Sequence, residues 1–176
     1  MSSLNSASLN SVLETDRLSL RQANMDDYQF IFQLLNEPSW LRFIGDRNIK
    51  TPEDARDYIS EVLVPTYARF GFGLYIVELK QTGRPVGLCG LIKRDDLNDV
   101  DIGFAFLRRY WHCGYAIESA RAVIWHANQT FALKRIVAIT SPENTSSIKL
   151  LNRLGFVYER MINFEKIELK LYTKSL

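Results

Sequence analysis

The chain has 176 residues, 47% hydrophobic and 24% charged, with a formal net charge of +2. That length suits one domain able to bury roughly 70% of its unfolded surface, and the composition excludes a largely disordered chain. No apolar run approaches the roughly 18 residues of a membrane span, and so small a charge excess is no footprint for nucleic acid.

Residues 1–12 are rich in Ser and Asn and are expected to form a flexible tail, with residues 13–176 as a single domain. Arg17 to Arg21 alternates apolar and polar, as a half-buried strand does. Met25-Asp26-Asp27 opens a helical pattern through Phe30, Ile31, Leu34 and Leu35, which Pro38 ends. Trp40 to Lys50 reads as irregular. Thr51-Pro52-Glu53-Asp54 is a strong helix start: a capping Thr, a proline at the first helical position, then acids. That helix runs through Tyr58, Ile59, Val62 and Leu63, and Pro65 bends or interrupts it before Tyr67 to Phe70.

Leu74 to Leu79, Pro85 to Ile92 and Val100 to Leu107 form a meander of strands, with Gly87 and Gly90 marking a bulge or a close backbone approach. Ala116 to Phe131 has helical spacing, and His126 reads as a polar-face or capping residue on it. Arg135 to Thr140 is a nearly continuous apolar run that suits a strand buried on both faces. A helix from Asn144 ends at Gly155. Phe156 to Phe164 and Ile167 to Tyr172 close the chain as a hairpin. The order β-α-α-β-β-β-α-β-α-β-β defines one mixed α/β domain.

Cys89 and Cys113 are too few for a disulfide framework, and with His112 and His126 they lack the usual spacing of a zinc site, so no metal is expected. The chain opens without the basic start and apolar core of a signal peptide, so a reduced, cytoplasmic setting is expected. Cys89 reads as a small strand hydrophobe.

The stretch Ile102 to Ser119 is the most informative. A strand runs through a short loop to Gly114 and into a helix. Such a junction aims unpaired N–H groups and the positive end of a helix dipole at one spot, which suits a phosphate or pyrophosphate. Gly114 lets the backbone approach closely and Ala116 keeps the first turn free of bulk. A plain tight turn is the alternative, since neither GxGxxG nor GxxxxGK[ST] is present.

This stretch resembles the coenzyme-A-binding motif of the GNAT acetyltransferases, and in particular the RimJ/RimL-like branch, whose pattern is roughly IGYxLxPxxWGKGYATEA. Ile102, Gly103, Trp111, Gly114, Tyr115, Ala116 and Glu118 match by position, and Phe104 and Phe106 are close substitutes. Leu133 to Phe156 is similar to the family's strand–PxN–helix–LGF segment. The resemblance covers about residues 13–164. His112 departs from the family's Gly, Cys113 from its Lys and Arg108 from its Pro, changes that bear on coenzyme affinity.

The resemblance implies an α/β fold with a mostly antiparallel sheet splayed between its Val100–Leu107 and Arg135–Thr140 strands, flanked by about four helices. It implies that the pantetheine arm of acetyl-CoA lies in that splay, paired with backbone around Phe104 to Phe106. The pyrophosphate would then sit on His112, Cys113, Gly114, Tyr115 and Ala116, beside Trp111. Asn144 matches a coenzyme-contacting Asn and is equally a good helix cap. Ser147 matches the branch's proposed general acid, while Leu151 stands where many relatives place a Tyr acid. Asp101, just before the Ile102-Gly103 pair, is the candidate base, with Asp99 and Glu168 as weaker alternatives. Tyr28, Trp40 and Phe43 either line the acceptor side, as Arg42 between them would, or pack the core. The implied activity is acetyl transfer from acetyl-CoA to a primary amine, of a protein N-terminus or a small molecule, by a monomer or homodimer. No nucleic acid or membrane partner is expected. The alternative is a non-catalytic acyl-CoA-binding sensor on the same fold.

Overall fold

Leu18 and Leu20 are fully buried while Ser19 and Arg21 between and beside them are not. This period of two makes β2 (Leu18–Arg21) a strand with one wet face. The computed structural model describes residues 11–176. In it β2 pairs with β1 (Ser11–Glu14), so Ser11 and Val12 belong to the sheet rather than to a tail. The rest of the expected tail, residues 1–10, lies outside the described residues.

Eight strands form one sheet in the order β1-β2-β3-β4-β5-β6-β8-β7. The others are β3 (Leu74–Leu79), β4 (Pro85–Ile92), β5 (Val100–Phe106), β6 (Arg135–Thr140), β7 (Val157–Phe164) and β8 (Ile167–Ser175). Every neighbouring pair is antiparallel except β5 with β6.

The helices are α1 (Tyr28–Leu35), α2 (Pro38–Phe43), α3 (Pro52–Tyr58), α4 (Val64–Phe70), α5 (Tyr115–Gln129) and α6 (Thr145–Arg153). Helix α2 corrects the expectation of an irregular segment. Pro38 does not only stop α1; it sits in the first turn of a new helix, where its missing N–H costs nothing. Thr51 caps α3 as its spacing predicts, accepting from Asp54 N–H while the Asp54 carboxylate accepts from Thr51 N–H. Pro65 does not break the rod. A wide turn over Ile59–Leu63, with Val64 N–H reaching back to Ile59, carries α3 into α4. Gly71, at φ +76°, then ends α4.

The sheet buries both faces. Cys89, Leu91, Ile102 and Phe106 pack toward Val123 and Ala127 of α5. Ile76, Leu88 and Leu107 pack toward Ile31, Leu35 and Ile59 of the α1–α4 layer. His126 faces the core, not solvent: it is buried, its ring 4.9 Å from Phe131, and burial lowers its pKa. Arg21 ties β2 to the turn before α1 and to β3, with Nη2 2.7 Å from Asp27 and 2.6 Å from Glu78.

Gly90 marks the close approach expected of it. A Cβ there would lie 2.0 Å from Gly73 O, where the chain leaves α4 and enters β3. The bulge falls nearby, where β3 shifts register between Val77 and Glu78 opposite Gly87 and Pro85. Gly90→Ala is therefore expected to cost about 3 kcal/mol, since backbone rather than a flexible side chain must yield. Urea unfolding of the variant measures it.

Candidate active site

Strands β5 and β6 touch at only two positions, Val100 with Ile136 and Asp101 with Val137. Beyond Asp101 they part, and β5 from Ile102 to Phe106 has no strand on that edge. Two cavities open at the gap. The first, of about 370 Å³, lies among β5, the loop before α5, and α6. The second, of about 730 Å³, lies on the α1–α4 side and includes Tyr58, Asp101, Gly103 and Phe164. They share a wall made of Trp40, Phe43, Ile44, Phe104, Ala105, Asn144 and Ser147.

The loop into α5 is built for close approach. His112 has φ +62° and Gly114 φ +83°, two left-handed residues in three. Gly114 is the N-cap and carries no side chain to cap the first turn, so its N–H groups remain free to meet an anion. Trp111 Nε1–H donates to Phe106 O at 2.9 Å, fastening the loop to the end of β5. Arg17 Nη1–H donates to Cys113 O at 3.0 Å. Glu118 orients that arginine, accepting from Arg17 Nε at 2.7 Å, from its backbone N–H at 3.0 Å and from Thr15 Oγ1 at 2.6 Å. Burial alone would raise the Glu118 pKa, but the hydrogen bonds from Thr15 and Arg17 bring it below the usual value.

Lys149 and Arg153 of α6 line the same cavity, with Ser146 and Leu150. Their spacing of three and four is one helix face. They bring positive charge to a loop that carries Cys113 in place of a lysine. The residues present therefore fit a coenzyme with a pantetheine arm and a pyrophosphate: an open strand edge, an uncapped helix start and two nearby cations.

Asn144 holds both positions open to it. Its Oδ1 accepts from Ser147 N–H at 3.1 Å as a helix cap, and it lines both cavities. The Ser147 hydroxyl has no hydrogen-bond partner among the described residues and faces both cavities. Leu151 is buried in the core and offers no acid.

Asp101 is only 1% exposed. Its Oδ2 accepts from Arg94 Nε at 2.7 Å, and its Oδ1 is buried without a partner among the described residues. Burial pushes its pKa up to about 6, against the pull of Arg94 and, more weakly, of the Ile139 backbone. Asp99 instead pairs with Arg135 at 3.1 Å, and neither it nor Glu168 lines either of these two cavities.

Trp40 and Phe43 stand in the shared wall, carried there by α2, and the Trp40 indole N–H is buried without a partner among the described residues. Tyr28 lines neither cavity; its ring lies 3.6 Å from the Arg56 guanidinium carbon. Cys113 also lines neither, and it meets the loop's anchor through its carbonyl rather than its thiol. Cys89 is buried, with its thiol pushed up to about 12 by desolvation. Sequence reasoning missed Arg17, Arg94, Lys149 and Arg153. Only the last two left a signal, the helical spacing on α6.

The family model of the acetyltransferase (GNAT) domain matches residues 17–157. The chain is 31% identical over 160 residues to an uncharacterized N-acetyltransferase, p20, of Bacillus licheniformis, covering 88% of this chain and 87% of that protein. An acetyltransferase structure from Agrobacterium tumefaciens superposes with a TM-score of 0.79 at 23% identity, covering 92% of each chain. RimL, a ribosomal L7/L12 acetyltransferase solved with coenzyme A, superposes equally well with a TM-score of 0.79 at 17% identity, covering 92% of this chain and 96% of that one. The chain thus belongs to the GNAT family of acetyl-CoA-dependent N-acetyltransferases. Among the described residues no helix is long and apolar enough to cross a membrane.

If the Arg17–Glu118 clamp holds the phosphate loop, Glu118→Gln is expected to raise the KM for acetyl-CoA severalfold with little change in kcat, as loss of uniform binding does. Steady-state kinetics at saturating amine reads the split. Gly114→Ala is expected to be worse, because it forces an L side chain into a left-handed position and sets a Cβ 3.1 Å from Arg17 Nη2.

Proposed function

We propose that the first cavity receives acetyl-CoA and the second the acceptor amine, and that transfer occurs by direct attack where the two cavities meet. The shared wall supports this reading: Ser147 and Asn144 face both spaces, and only the second contains the buried carboxylate of Asp101. The pantetheine amides would pair with the open edge of β5 around Phe104 to Phe106. Its pyrophosphate would lie on the backbone of residues 112–116, with Trp111 behind the loop.

A primary amine must be neutral to attack. Asp101, ionised above about pH 6, accepts its proton directly or through a water. The thioester carbonyl becomes a tetrahedral oxyanion, and a backbone N–H of the Phe104–Phe106 strand donates to it. As the carbon–sulfur bond breaks, the Ser147 hydroxyl donates to the departing thiolate, and the product amide leaves through the second cavity. No acyl-enzyme forms. The acceptor, a peptide N-terminus or a small primary amine, meets Trp40 and Phe43 on the way in. We read the enzyme as a cytoplasmic monomer or homodimer.

Two variants test the roles. Ser147→Ala is expected to lower kcat while leaving acetyl-CoA affinity, read by calorimetry, unchanged. An unchanged kcat removes Ser147 from the acid role. For wild type, kcat/KM for the amine is expected to rise as pH increases through about 6, as Asp101 loses its proton. Asp101→Asn should abolish that limb and cost about 10²–10⁴-fold in rate.

The same carboxyl carries a stability signature. An unfolded Asp titrates near about 3.9, and Asp101 in the fold near about 6. Between those values the folded chain holds the extra proton, so the Asp101 contribution falls as pH rises through that window. Denaturation of the Asp101→Asn variant from acid to neutral pH should lack this slope.

A further inference from the structure

The second cavity carries more positive charge than proton transfer requires. Arg42, Arg47, Lys93 and Arg94 line it, against the carboxylates of Asp101 and Glu165. Arg94 is engaged with Asp101, and Arg42 with Glu143 at 3.4 Å. Lys93 donates to the Leu97 and Asn98 carbonyls at 2.9 and 3.2 Å, which leaves its charge unneutralised. Arg47 forms no ion pair or hydrogen bond through its side chain among the described residues; its neighbour Asp46 pairs with Lys50 instead, at 2.9 Å.

Tyr58, half-buried on α3, faces the same space. Burial raises its pKa, and the charges of Arg47 and Arg94 pull it back. Arg47 and Arg94 line the same space as this phenol. Its hydroxyl has no hydrogen-bond partner among the described residues. Phe43, Phe70, Phe72 and Phe164 supply apolar walls. The cavity therefore combines an apolar body, a free guanidinium, a free phenol and the carboxylate of Asp101, with four cations on its lining against the two carboxylates of Asp101 and Glu165.

This arrangement discriminates among amines by their second group. A diamine would set its second ammonium against Arg47 and Lys93, a like-charge contact that penalises binding. A carboxylate there receives the flat guanidinium fork and a hydroxyl donor. Accepting the assignment of this cavity to the acceptor, we propose that the acceptor is a primary amine that also bears a carboxylate, with its amine toward Asp101 and its carboxylate held by Arg47 and the Tyr58 hydroxyl. A free amino acid and the N-terminus of an acidic peptide share that chemistry.

Initial rates with acetyl-CoA over matched acceptors test it. One series is γ-aminobutyrate, butylamine and putrescine. A second is phenylalanine against phenylalaninamide. A third pairs Ala-Ala-Glu with Ala-Ala-Lys. The expected result is a kcat/KM about ten- to a hundredfold higher for the carboxylate member, the worth of a hydrogen bond between charged groups. Added salt should shrink this preference. The first two series against the third separate a free acid from a peptide. Arg47→Gln should bring the ratio of carboxylate to neutral member toward one, and Tyr58→Phe should lower it partway.

Equal rates across each series, or a preference for putrescine, overturn the inference while leaving the transferase reading standing. A different failure is transfer to no amine at all while acetyl-CoA still raises the melting temperature. That outcome overturns the acceptor-side assignment itself, and this inference with it.

Discussion

The parting of β5 from β6 after Asp101 is the constraint on which the rest of the molecule turns. β5 is held by β4 over Asp101–Phe106, and β6 by β8 over Arg135–Thr140. Between them only two residues pair. Because β5 and β6 are parallel, their C-terminal ends lie on the same side of the sheet. The chain that leaves β5 enters α5, and the chain that leaves β6 enters α6. Both helices therefore start at the mouth of the gap, with their uncapped or singly capped N–H groups near it. This is the general tendency of sheets to bind ligands beyond the carboxyl ends of parallel strands where neighbouring connections diverge. Here a missing ladder and two helix starts follow from one change of strand direction.

The same point bears on the proposed acid–base chemistry. Asp101 is the last β5 residue to have a partner on β6 and the first to face the second cavity. Alternation puts it on one face with Gly103, Ala105 and Leu107, and the two small residues leave space where a bulky pair would fill it. A carboxylate this deeply buried is costly without a partner. Arg94 provides one but is itself partly exposed, with 23% of its side chain accessible. The pairing therefore tempers the desolvation without cancelling it, and the carboxyl remains a proton acceptor near neutral pH.

Much of this could be read from residue order, and what could not has identifiable reasons. Alternation exposed β2, apolar continuity exposed β6, and Thr51 with Pro52 exposed the start of α3, because each signal is local. Gly114 and the match through Glu118 located the loop. Helix α2 was hidden because Pro38 ends one helix and begins another, and a proline is read more readily as a stop. Ser11 and Val12 were hidden by a polar, low-complexity surround. The turn of Ile59–Leu63 that absorbs Pro65 has no sequence signature distinct from an ordinary helix. Tyr28 groups in sequence with Trp40 and Phe43 as acceptor side or core packing, but at the start of α1 it lines neither cavity and lies against Arg56. Arg17 and Glu118 lie 101 residues apart, and no period or spacing links such a pair. The same holds for Arg47, Tyr58 and Arg94, which come to line one cavity only because the loop after α2, the end of α3 and the β4–β5 turn converge there.

The loop substitutions acquire a different meaning in this setting. His112 occupies a left-handed position that a glycine would take without strain, so its backbone is held by its surroundings. Those surroundings are the Trp111 bond to β5 and the Arg17 bond to Cys113 O. The cations nearest the first cavity come from α6, on the far side of the gap. A phosphorylated ligand that reaches both the α5 loop and the α6 face must then bridge the two halves of the sheet where their own ladder stops. Its amides along β5 would supply the pairing that β6 does not. On the proposed binding mode, binding and cohesion would be the same event: the free energy of the bound ligand would add to the stability of the join that the fold leaves open. Under the proposed binding, a loop with fewer intrinsic charges would serve, because the anion would be shared between two elements rather than held by one.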